Sequence, residues 1–300
     1  MLFLYRLSIY LLIIFLPIII TYRIFKGKED PKRFIEKFGF FTKKRKKGNL
    51  IWFHGSSVGE ILSVLPLIEN LEKDKKVDQI LLTTNTLSSS KVLNKFKFKK
   101  TIHQFFPLDI NIIINKFLKY WNPKSVFFIE SEIWPNMILK IKSKKTPLIL
   151  INARITKKSF NRWNKINYFS KRIFEKFNLC LCQNSETLNY LKKLGSKNNS
   201  KPGNLKFAEI DFVTNNEMKK SNKYFFKNKK ILFGGISTHA TEEDFCARLH
   251  VELIKKFKNG LSIIVPRHVD RRNEILEVLY KYNLNVHVHS QKGPINKNTN

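Results

Sequence analysis

The chain has 300 residues, 43% of them hydrophobic, which is enough to bury a core in one large domain or two modest ones. Its three cysteines, Cys180, Cys182 and Cys246, form neither a disulfide framework nor a complete metal set. With 56 Lys and Arg against 23 Asp and Glu, the net charge is +33, which favours nucleic acid, anionic lipid or a phosphorylated substrate as partner. Because lysines occur in nearly every segment, the charge alone selects none of these.

The N-terminal segment is apolar, and residues 7–22 carry no charge. A basic flank follows it, comprising Arg23, Lys26, Lys28, Lys32 and Arg33. An apolar segment followed by basic residues predicts an inner-membrane anchor over residues 1–25, with the catalytic body on the cytoplasmic face. The anchor either spans the bilayer once or lies on it, and a buried amphipathic first helix is the alternative.

From residue 50 the chain alternates between short apolar runs and amphipathic segments. Strands are predicted at 50–53, 80–84, 102–106, 125–129, 147–151 and 179–183, and helices at 61–71, 111–120, 134–141 and 186–194. This alternation is typical of a parallel α/β sheet with helices on both faces. Such sheets bind ligands beyond the carboxyl ends of their strands.

The turn after the first predicted strand contains two glycines, Gly55 and Gly59, which would let the backbone approach a ligand closely. The helix that follows begins with unpaired N–H groups and a positive dipole end, both of which favour an anion. Glu60 lies in or next to the first helical turn, where the dipole favours the ionised form that a general base needs. The spacing alone favours a simpler interpretation, in which Glu60 is a helix-start charge in a structural turn.

Charged residues also follow the fourth and fifth predicted strands. Glu130 and Glu132 supply two carboxylates, which can share acid–base work or hold substrate hydroxyls. A helix-start charge cluster is the alternative. Arg154 could bind a carboxylate or phosphate with two hydrogen bonds, although a lone arginine after a strand is more often a surface ion-pair partner.

A second alternation follows a polar, lysine-rich stretch at 209–230 that is typical of a linker. Strands are predicted at 231–236, 261–265 and 285–288, helices from about Glu242 and Asp270, and a polar tail at 291–300. A candidate phosphate cradle lies at the ends of the first two of these strands and consists of Ser237, Thr238, His239 and Arg267. A capping box at 241–244 is the structural alternative.

Eight motifs, taken in order, give the chain a family resemblance. They are Gly27-Lys28-Glu29-Asp30-Pro31 through Glu36-Lys37-Phe38-Gly39, His54 through Ser57-Val58-Gly59-Glu60, Glu130 through Trp134-Pro135-Asn136, Asn152-Ala153-Arg154, Gln183-Asn184-Ser185-Glu186, Gly203-Asn204-Leu205-Lys206-Phe207, Ser237-Thr238-His239 with Glu242-Glu243, and Val265-Pro266-Arg267-His268. Over residues 1 to about 292 the chain resembles the 3-deoxy-D-manno-octulosonic acid (Kdo) transferases of lipid A biosynthesis.

The resemblance implies an α/β fold of the GT-B type, with two Rossmann-like domains facing a cleft and with no metal or cofactor. It divides the chain into a membrane anchor at 1–25, an acceptor domain at 26–205 and a nucleotide-sugar donor domain at 206–300. The implied reaction is inverting transfer of Kdo from CMP-Kdo to a hydroxyl of the lipid A precursor. Anionic inner-membrane lipids are expected partners, and no specific nucleic acid is expected.

The resemblance also implies roles for individual residues. Glu60 matches the family's general base. The residues that match acceptor-binding positions are His54, Ser56, Ser57, Gly59, Glu130, Glu132 and Arg154. The residues that match donor-binding positions are Asn204, Lys206, Ser237, Thr238, His239 and Arg267.

The chain departs from the family's pattern at three places. Gly55-Ser56 and Ala240-Thr241 replace residues that the family commonly has. Family members also continue with a glycine-rich motif, an asparagine and a glutamate that complete the donor site, and nothing here matches those. We therefore expect a C-terminally truncated transferase whose second domain is incomplete. An inactive remnant and a basic, membrane-tethered polyanion-binding protein are the alternatives.

Overall fold

The computed structural model of the protein describes residues 1–207, 229–291 and 299. The chain divides into two compact units, Met1–Asp211 and Phe212–Asn300. Most of the predicted linker at 209–230 and of the predicted tail at 291–300 lies outside the described residues.

The first unit alternates strands and helices, as the sequence predicts. Its strands are β1 (Leu50–His54), β2 (Gln79–Thr84), β3 (Thr101–Phe105), β4 (Ser125–Ile129), β5 (Leu148–Ala153), β6 (Leu179–Cys182) and β7 (Asn199–Ser200). Its helices are α1 (Leu2–Phe25), α2 (Val58–Lys73), α3 (Leu87–Leu93), α4 (Asn111–Trp121), α5 (Pro135–Ser143), α6 (Lys157–Lys165), α7 (Asn167–Phe174) and α8 (Ser185–Lys193), with 3₁₀ helices at Phe34–Phe38 and Leu205–Phe207.

The seven strands form one parallel sheet in the order β3-β2-β1-β4-β5-β6-β7. β1 is central, since Trp52 pairs with Leu81 of β2 on one side and with Val126 of β4 on the other. The strand order reverses between β1 and β4, which is where open α/β sheets form their ligand crevice. The loops that leave β1 and β4 carry the residues 54–60 and 130–136.

Alternate residues of each strand point to opposite faces of this sheet, and each face has its own core. Trp52 and Phe128 are fully buried on the face covered by α4, α5, α7 and α8. Phe53 and Ile129 are fully buried on the face covered by α2. A large apolar side chain contributes about 1.5–3 kcal/mol when it is buried, so the two cores fix the strand ends that carry the site.

The N-terminal helix α1 is long and apolar enough to cross a membrane, by length and composition only. Ile20 is its only buried residue, so the alternative of a buried core helix is wrong.

The second unit has two described strands, β8 (Lys230–Thr238) and β9 (Gly260–Pro266), which pair in parallel. Its helices are α9 (Glu242–Ile254) and α10 (Arg272–Tyr280), and a 3₁₀ turn, Val269–Arg271, precedes α10. The strand predicted at 285–288 is wrong, because these residues form no ladder. Leu284 and Val286 instead pack against the small cluster that contains Leu279, which explains the apolar alternation.

Candidate active site

The turn between β1 and α2 holds the carboxylate of Glu60 at both oxygens. Ser57 is the N-cap of α2; its Oγ accepts the Glu60 N–H at 3.2 Å and donates to Glu60 Oε1 at 2.8 Å. The Ser56 N–H donates to Oε2 at 2.8 Å. This reciprocal arrangement is a form of capping box, so Glu60 does cap the N-terminus of α2. The same bonds fix one orientation of its carboxylate.

Burial raises the pKa of Glu60, and the charges of Glu132 and Glu130 raise it further. The hydrogen bonds from Ser56 and Ser57 act in the opposite direction, but the pKa stays raised. This corrects the expectation that the helix dipole sets the charge state of this group. A carboxylate with a raised pKa is a stronger proton acceptor, as general-base catalysis requires.

A second carboxylate, Glu132, is held by two donors on neighbouring elements. His54 is fully buried at the end of β1, and its Nε2 lies 3.0 Å from Glu132 Oε2. The indole N–H of Trp134 donates to the same oxygen at 2.8 Å. The other ring nitrogen of His54 lies 3.1 Å from Thr83 Oγ1, which orients the imidazole.

Burial alone would raise the pKa of Glu132, but hydrogen bonds from His54 and Trp134 hold that pKa below its usual range. The pKa values of Glu60 and Glu132 are therefore displaced in opposite directions. Carboxylates whose environments separate their pKa values can take different roles in one reaction. Here Glu132 is the fixed anion and Glu60 is the candidate base.

Two strand ends beside this pair have left-handed backbone conformations. Glu130 follows β4 with φ of 55°, and Asn152, in β5, has φ of 51°. Asn152 Oδ1 accepts the Leu205 N–H at 3.0 Å and so fixes the 3₁₀ helix that carries Lys206. Non-glycine residues in this conformation cost about 1–3 kcal/mol and cluster at functional sites. The sequence motif at 152–154 contained Asn152, but no sequence pattern marked it as a site residue.

Lys206, which the resemblance assigns to the donor, lies in the first unit beside a residue assigned to the acceptor. Its Nζ is 2.8 Å from Glu130 Oε1, without the alignment of a hydrogen bond. Asn204 Oδ1 accepts the Lys206 N–H at 3.0 Å and shapes the preceding turn.

Arg154 contacts Glu130 only through the backbone, since its N–H donates to the Glu130 carbonyl at 3.2 Å. The side chain of Arg154 is exposed.

Sequence reasoning missed the polar groups that hold Ser56. Asn85 Nδ2 donates to Ser56 Oγ at 2.6 Å, and the hydroxyls of Thr86 and Ser89 donate to the Ser56 carbonyl. These three residues lie just before or within α3, a helix that the sequence pattern did not predict. Because they follow β2 in the chain, these residues link the turn between β1 and α2 to the neighbouring strand.

The two glycines of the turn have different neighbours. A Cβ on Gly55 would lie 2.9 Å from Ile129 Cδ1 and 3.2 Å from Glu60 Cβ, so the protein itself fills this space. A Cβ on Gly59 would meet only Lys206 Nζ, at 3.9 Å. The sequence predicted a close approach to a ligand at both glycines, and at Gly55 the close approach is to the protein's own core.

We expect Gly55→Ala to destabilise the protein by about 1–3 kcal/mol, because the added methyl overpacks the contact with Ile129. Gly59→Ala is the matched control. It is expected to leave stability unchanged or raise it by up to about 1 kcal/mol, since alanine favours the helix. Urea denaturation followed by tryptophan fluorescence measures both variants. Equal stability of the two would contradict the packing argument.

The second unit carries the remaining predicted donor residues at the carboxyl ends of β8 and β9. Ser237 has φ of 62°, and the Arg267 N–H donates to the Thr238 carbonyl at 3.0 Å. The Thr238 hydroxyl donates to the buried Glu243 at 2.9 Å. The His239 N–H donates to Glu242 at 2.7 Å.

The capping box predicted at 241–244 does not form, because the side chain of Thr241 makes no capping hydrogen bond. Within residues 1–207, 229–291 and 299, no group of three His, Cys, Asp or Glu side chains is arranged to hold a metal ion.

The family model described as 3-deoxy-D-manno-octulosonic-acid transferase (kdotransferase) matches residues 32–209. Relatives named 3-deoxy-D-manno-octulosonic acid transferase include one from Rickettsia bellii, 35% identical over 95% of this chain and 69% of the relative. A relative of the same name from Rickettsia felis is 34% identical over 81% of this chain and 52% of the relative. One from Haemophilus influenzae is 28% identical over 90% of this chain and 65% of the relative. The chain thus spans about half to about two thirds of the length of these relatives.

Solved structures with a similar fold include a UDP-GlcNAc 2-epimerase from Neisseria meningitidis bound to UDP-GlcNAc, with a TM-score of 0.53, 15% identity, and 78% and 70% of the two chains covered. Another is S. aureus MnaA with UDP, with a TM-score of 0.53, 14% identity, and 78% and 65% covered. At these identities the likeness concerns the fold alone, and it confirms the predicted α/β class.

Proposed function

Because this chain belongs to the family of 3-deoxy-D-manno-octulosonic acid transferases, we propose that it moves Kdo from CMP-Kdo to a hydroxyl of the lipid A precursor, in lipopolysaccharide biosynthesis. One observation carries the proposal. Glu60, with its pKa raised by burial, lies beside the fixed anion Glu132 within the residues that the family model matches.

In the proposed reaction, Glu60 takes the proton from the acceptor hydroxyl as the hydroxyl oxygen forms its bond to the anomeric carbon of Kdo. The bond from that carbon to the CMP phosphate breaks, and its electron pair leaves with the phosphate. Attack from the face opposite the leaving group inverts the anomeric centre. The hydrogen bonds from Ser56 and Ser57 support this role, because they hold the base in one orientation.

The acceptor sugar lies, in this proposal, over the edge of the sheet between β1 and β4. Gly59 leaves open space there, with Lys206 Nζ facing it. The proposed contacts of the acceptor are with Ser56, Ser57, Gly59, Glu130, Glu132 and Arg154. His54, predicted as a further contact, is fully buried and acts through its bond to Glu132. The exposed guanidinium of Arg154 suits a phosphate of the acceptor, since it presents paired donors.

The proposed donor residues of the second unit are Ser237, Thr238, His239 and Arg267. The hydroxyl of Thr238 is already bound to Glu243, so we assign the CMP phosphate to Arg267, whose side chain is exposed, and to Ser237. Positive charge at this position stabilises the charge that develops on the departing phosphate. Asn204 and Lys206, which lie in the first unit, stay predicted donor-binding residues, and Lys206 pairs with Glu130.

The location that we propose is the cytoplasmic face of the inner membrane, with α1 as the anchor. The apolar length of α1 supports this location. Exposed Lys26 and Lys28 directly after it also support it, because basic residues next to an anchor bind anionic lipid.

Membranes that carry the full chain are expected to release CMP when they are given CMP-Kdo and a tetraacylated lipid A precursor. Membranes without the protein, and reactions without the lipid acceptor, serve as controls. A basic polyanion-binding protein would release no CMP and would bind unrelated polyanions with a steep salt dependence. Absence of acceptor-dependent CMP release from folded, membrane-bound protein would overturn the proposed activity.

A further inference from the structure

Helix α1 is partly covered along one side over its whole length. Its less exposed residues recur every three or four positions, at Leu2, Ile9, Ile13, Leu16, Ile20 and Ile24 among others. At ~100° per residue these side chains fall within an arc of about 100°, which makes a single stripe. A helix that projected freely from the protein would show no such stripe, so α1 lies along the first unit.

Polar bonds attach the start of α1 to the first unit. The Tyr5 hydroxyl donates to Asp109 Oδ2 at 2.7 Å, and Arg6 Nε donates to Asn136 Oδ1 at 2.9 Å. Asp109 is buried and accepts the N–H groups of Asn136 and Met137 at 2.9 and 2.8 Å. The start of α1 is therefore attached to the first unit through residues at the start of α5.

The end of α1 is attached as well. Arg23 donates to Glu29 at 3.1 Å, and the buried carboxylate of Glu29 also binds Lys37 at 2.7 Å. The Lys37 ammonium reaches the carbonyl of Asn85, the residue that holds Ser56, at 3.4 Å. Both ends of the helix thus contact the same unit, close to the strand ends of the site.

A helix of 24 residues is about 36 Å long, enough to cross the ~30 Å hydrocarbon core. A spanning helix would place Arg6 at the membrane face opposite the protein body, where it could not reach Asn136. We propose that α1 lies in the plane of the bilayer surface, with its covered stripe on the first unit and its other side in the acyl region. The proposal rests on the membrane association proposed above.

The occupant of the exposed side is a bilayer of anionic phospholipid. That side carries no charged residue, and Phe3, Ile14 and Ile18 are each 70–74% exposed. Both arginines of α1 are turned to the body, while Lys26 and Lys28 are exposed at its end, where they meet anionic headgroups. The net charge of +33 has the sign that such a surface requires.

This arrangement brings the membrane to the candidate active site. Asn85 follows β2, Asp109 lies just beyond β3, and Asn136 lies just beyond β4. All three are at the carboxyl edge of the sheet, where Glu60 follows β1. A lipid acceptor could then present its headgroup to Glu60 without leaving the leaflet.

The test is cross-linking in membranes. Ile9 and Asn111 border the same small gap between α1 and α4, so Ile9→Cys with Asn111→Cys should cross-link with a short bis-maleimide. Leu11→Cys with Asn111→Cys is the control, because Leu11 is 55% exposed on the opposite side. Cys246 is replaced by serine. Cys180 and Cys182 are fully buried, and burial raises the pKa of their thiols to about 12 and about 11, so they stay unreactive.

We expect the Ile9 pair to cross-link equally in detergent and in vesicles of anionic phospholipid, and the Leu11 pair to cross-link in neither. Cross-linking of the Ile9 pair in detergent that disappears in vesicles would show a spanning helix and overturn the proposal, as would failure in both. Cross-links between two chains through Leu11→Cys would identify a second copy as the occupant, which also overturns it. Protein that stays out of the membrane fraction would refute the membrane association itself.

Discussion

Glu60→Gln is expected to lower the rate of Kdo transfer by about 10²–10⁴-fold, which is the usual contribution of a general base. The amide has nearly the shape of the carboxylate and can still accept from Ser57, but it cannot take a proton from the acceptor hydroxyl. Stability should change by no more than about 1 kcal/mol, because the lost bond from Ser56 is offset by removal of a buried charge. Acceptor-dependent CMP release and thermal unfolding of the same preparation measure the two effects.

Glu186→Gln is the matched control. Glu186 also lies in the first turn of a helix, α8, where it is exposed and accepts from the Tyr190 hydroxyl at 2.7 Å. Its loss should leave the transfer rate unchanged. Full activity in Glu60→Gln would refute the assignment of the base and leave Glu60 as a helix cap.

The pH dependence follows from the direction of the shift. Burial raises the pKa of Glu60, so the wild-type rate should fall on acidification at a pH above the ordinary glutamate value. The residual rate of Glu60→Gln should lack this limb. The pH dependence of the folding stability has the opposite sign from that of the rate. A carboxyl whose pKa is raised in the folded state stabilises the fold at low pH, and this contribution is lost as the pH rises through the raised pKa.

The sequence predicted the sheet of the first unit well, because parallel strands buried on both faces have nearly continuous apolar runs. The strand predicted at 125–129 has those bounds in the structure, and the others differ by one or two residues at either end. Three helices were missed. α3 contains three consecutive serines. α6 and α7 are amphipathic but short, with a single residue between them and no buried residue in α6.

The candidate site was predictable as a set of residues but not as a set of contacts. Strand ends of a parallel sheet share one edge, which is why Glu60, Glu130 and Glu132 could be expected together. Which partner each side chain takes depends on distances that no spacing encodes. Thus His54 binds Glu132, and Lys206, expected with the donor residues, lies against Glu130.

Another glutamate, Glu36, is expected to contribute strongly to the free energy of unfolding. Glu36→Ala should lower the free energy of unfolding by about 3–5 kcal/mol, the usual cost of removing one partner of a buried ion pair. Glu36 is fully buried and accepts two bonds from Arg33, at 2.9 and 3.0 Å, and the hydroxyl of Thr42. It also accepts the Phe105 N–H at 2.7 Å, which is an outward donor of the edge strand β3.

Removing this carboxylate leaves the Arg33 guanidinium unpaired beside His103, whose pKa burial and the Arg33 charge hold at about 3. It also opens the edge of the sheet that the 3₁₀ helix Phe34–Phe38 covers. Glu69→Ala, at an exposed position of α2, is the control and should change stability by less than about 0.5 kcal/mol. Urea unfolding of the full chain in detergent compares the two. If Glu36→Ala lost transferase activity with unchanged stability, Glu36 would act in the reaction, and the motif at 36–39 would belong to the site and not to the edge of the sheet.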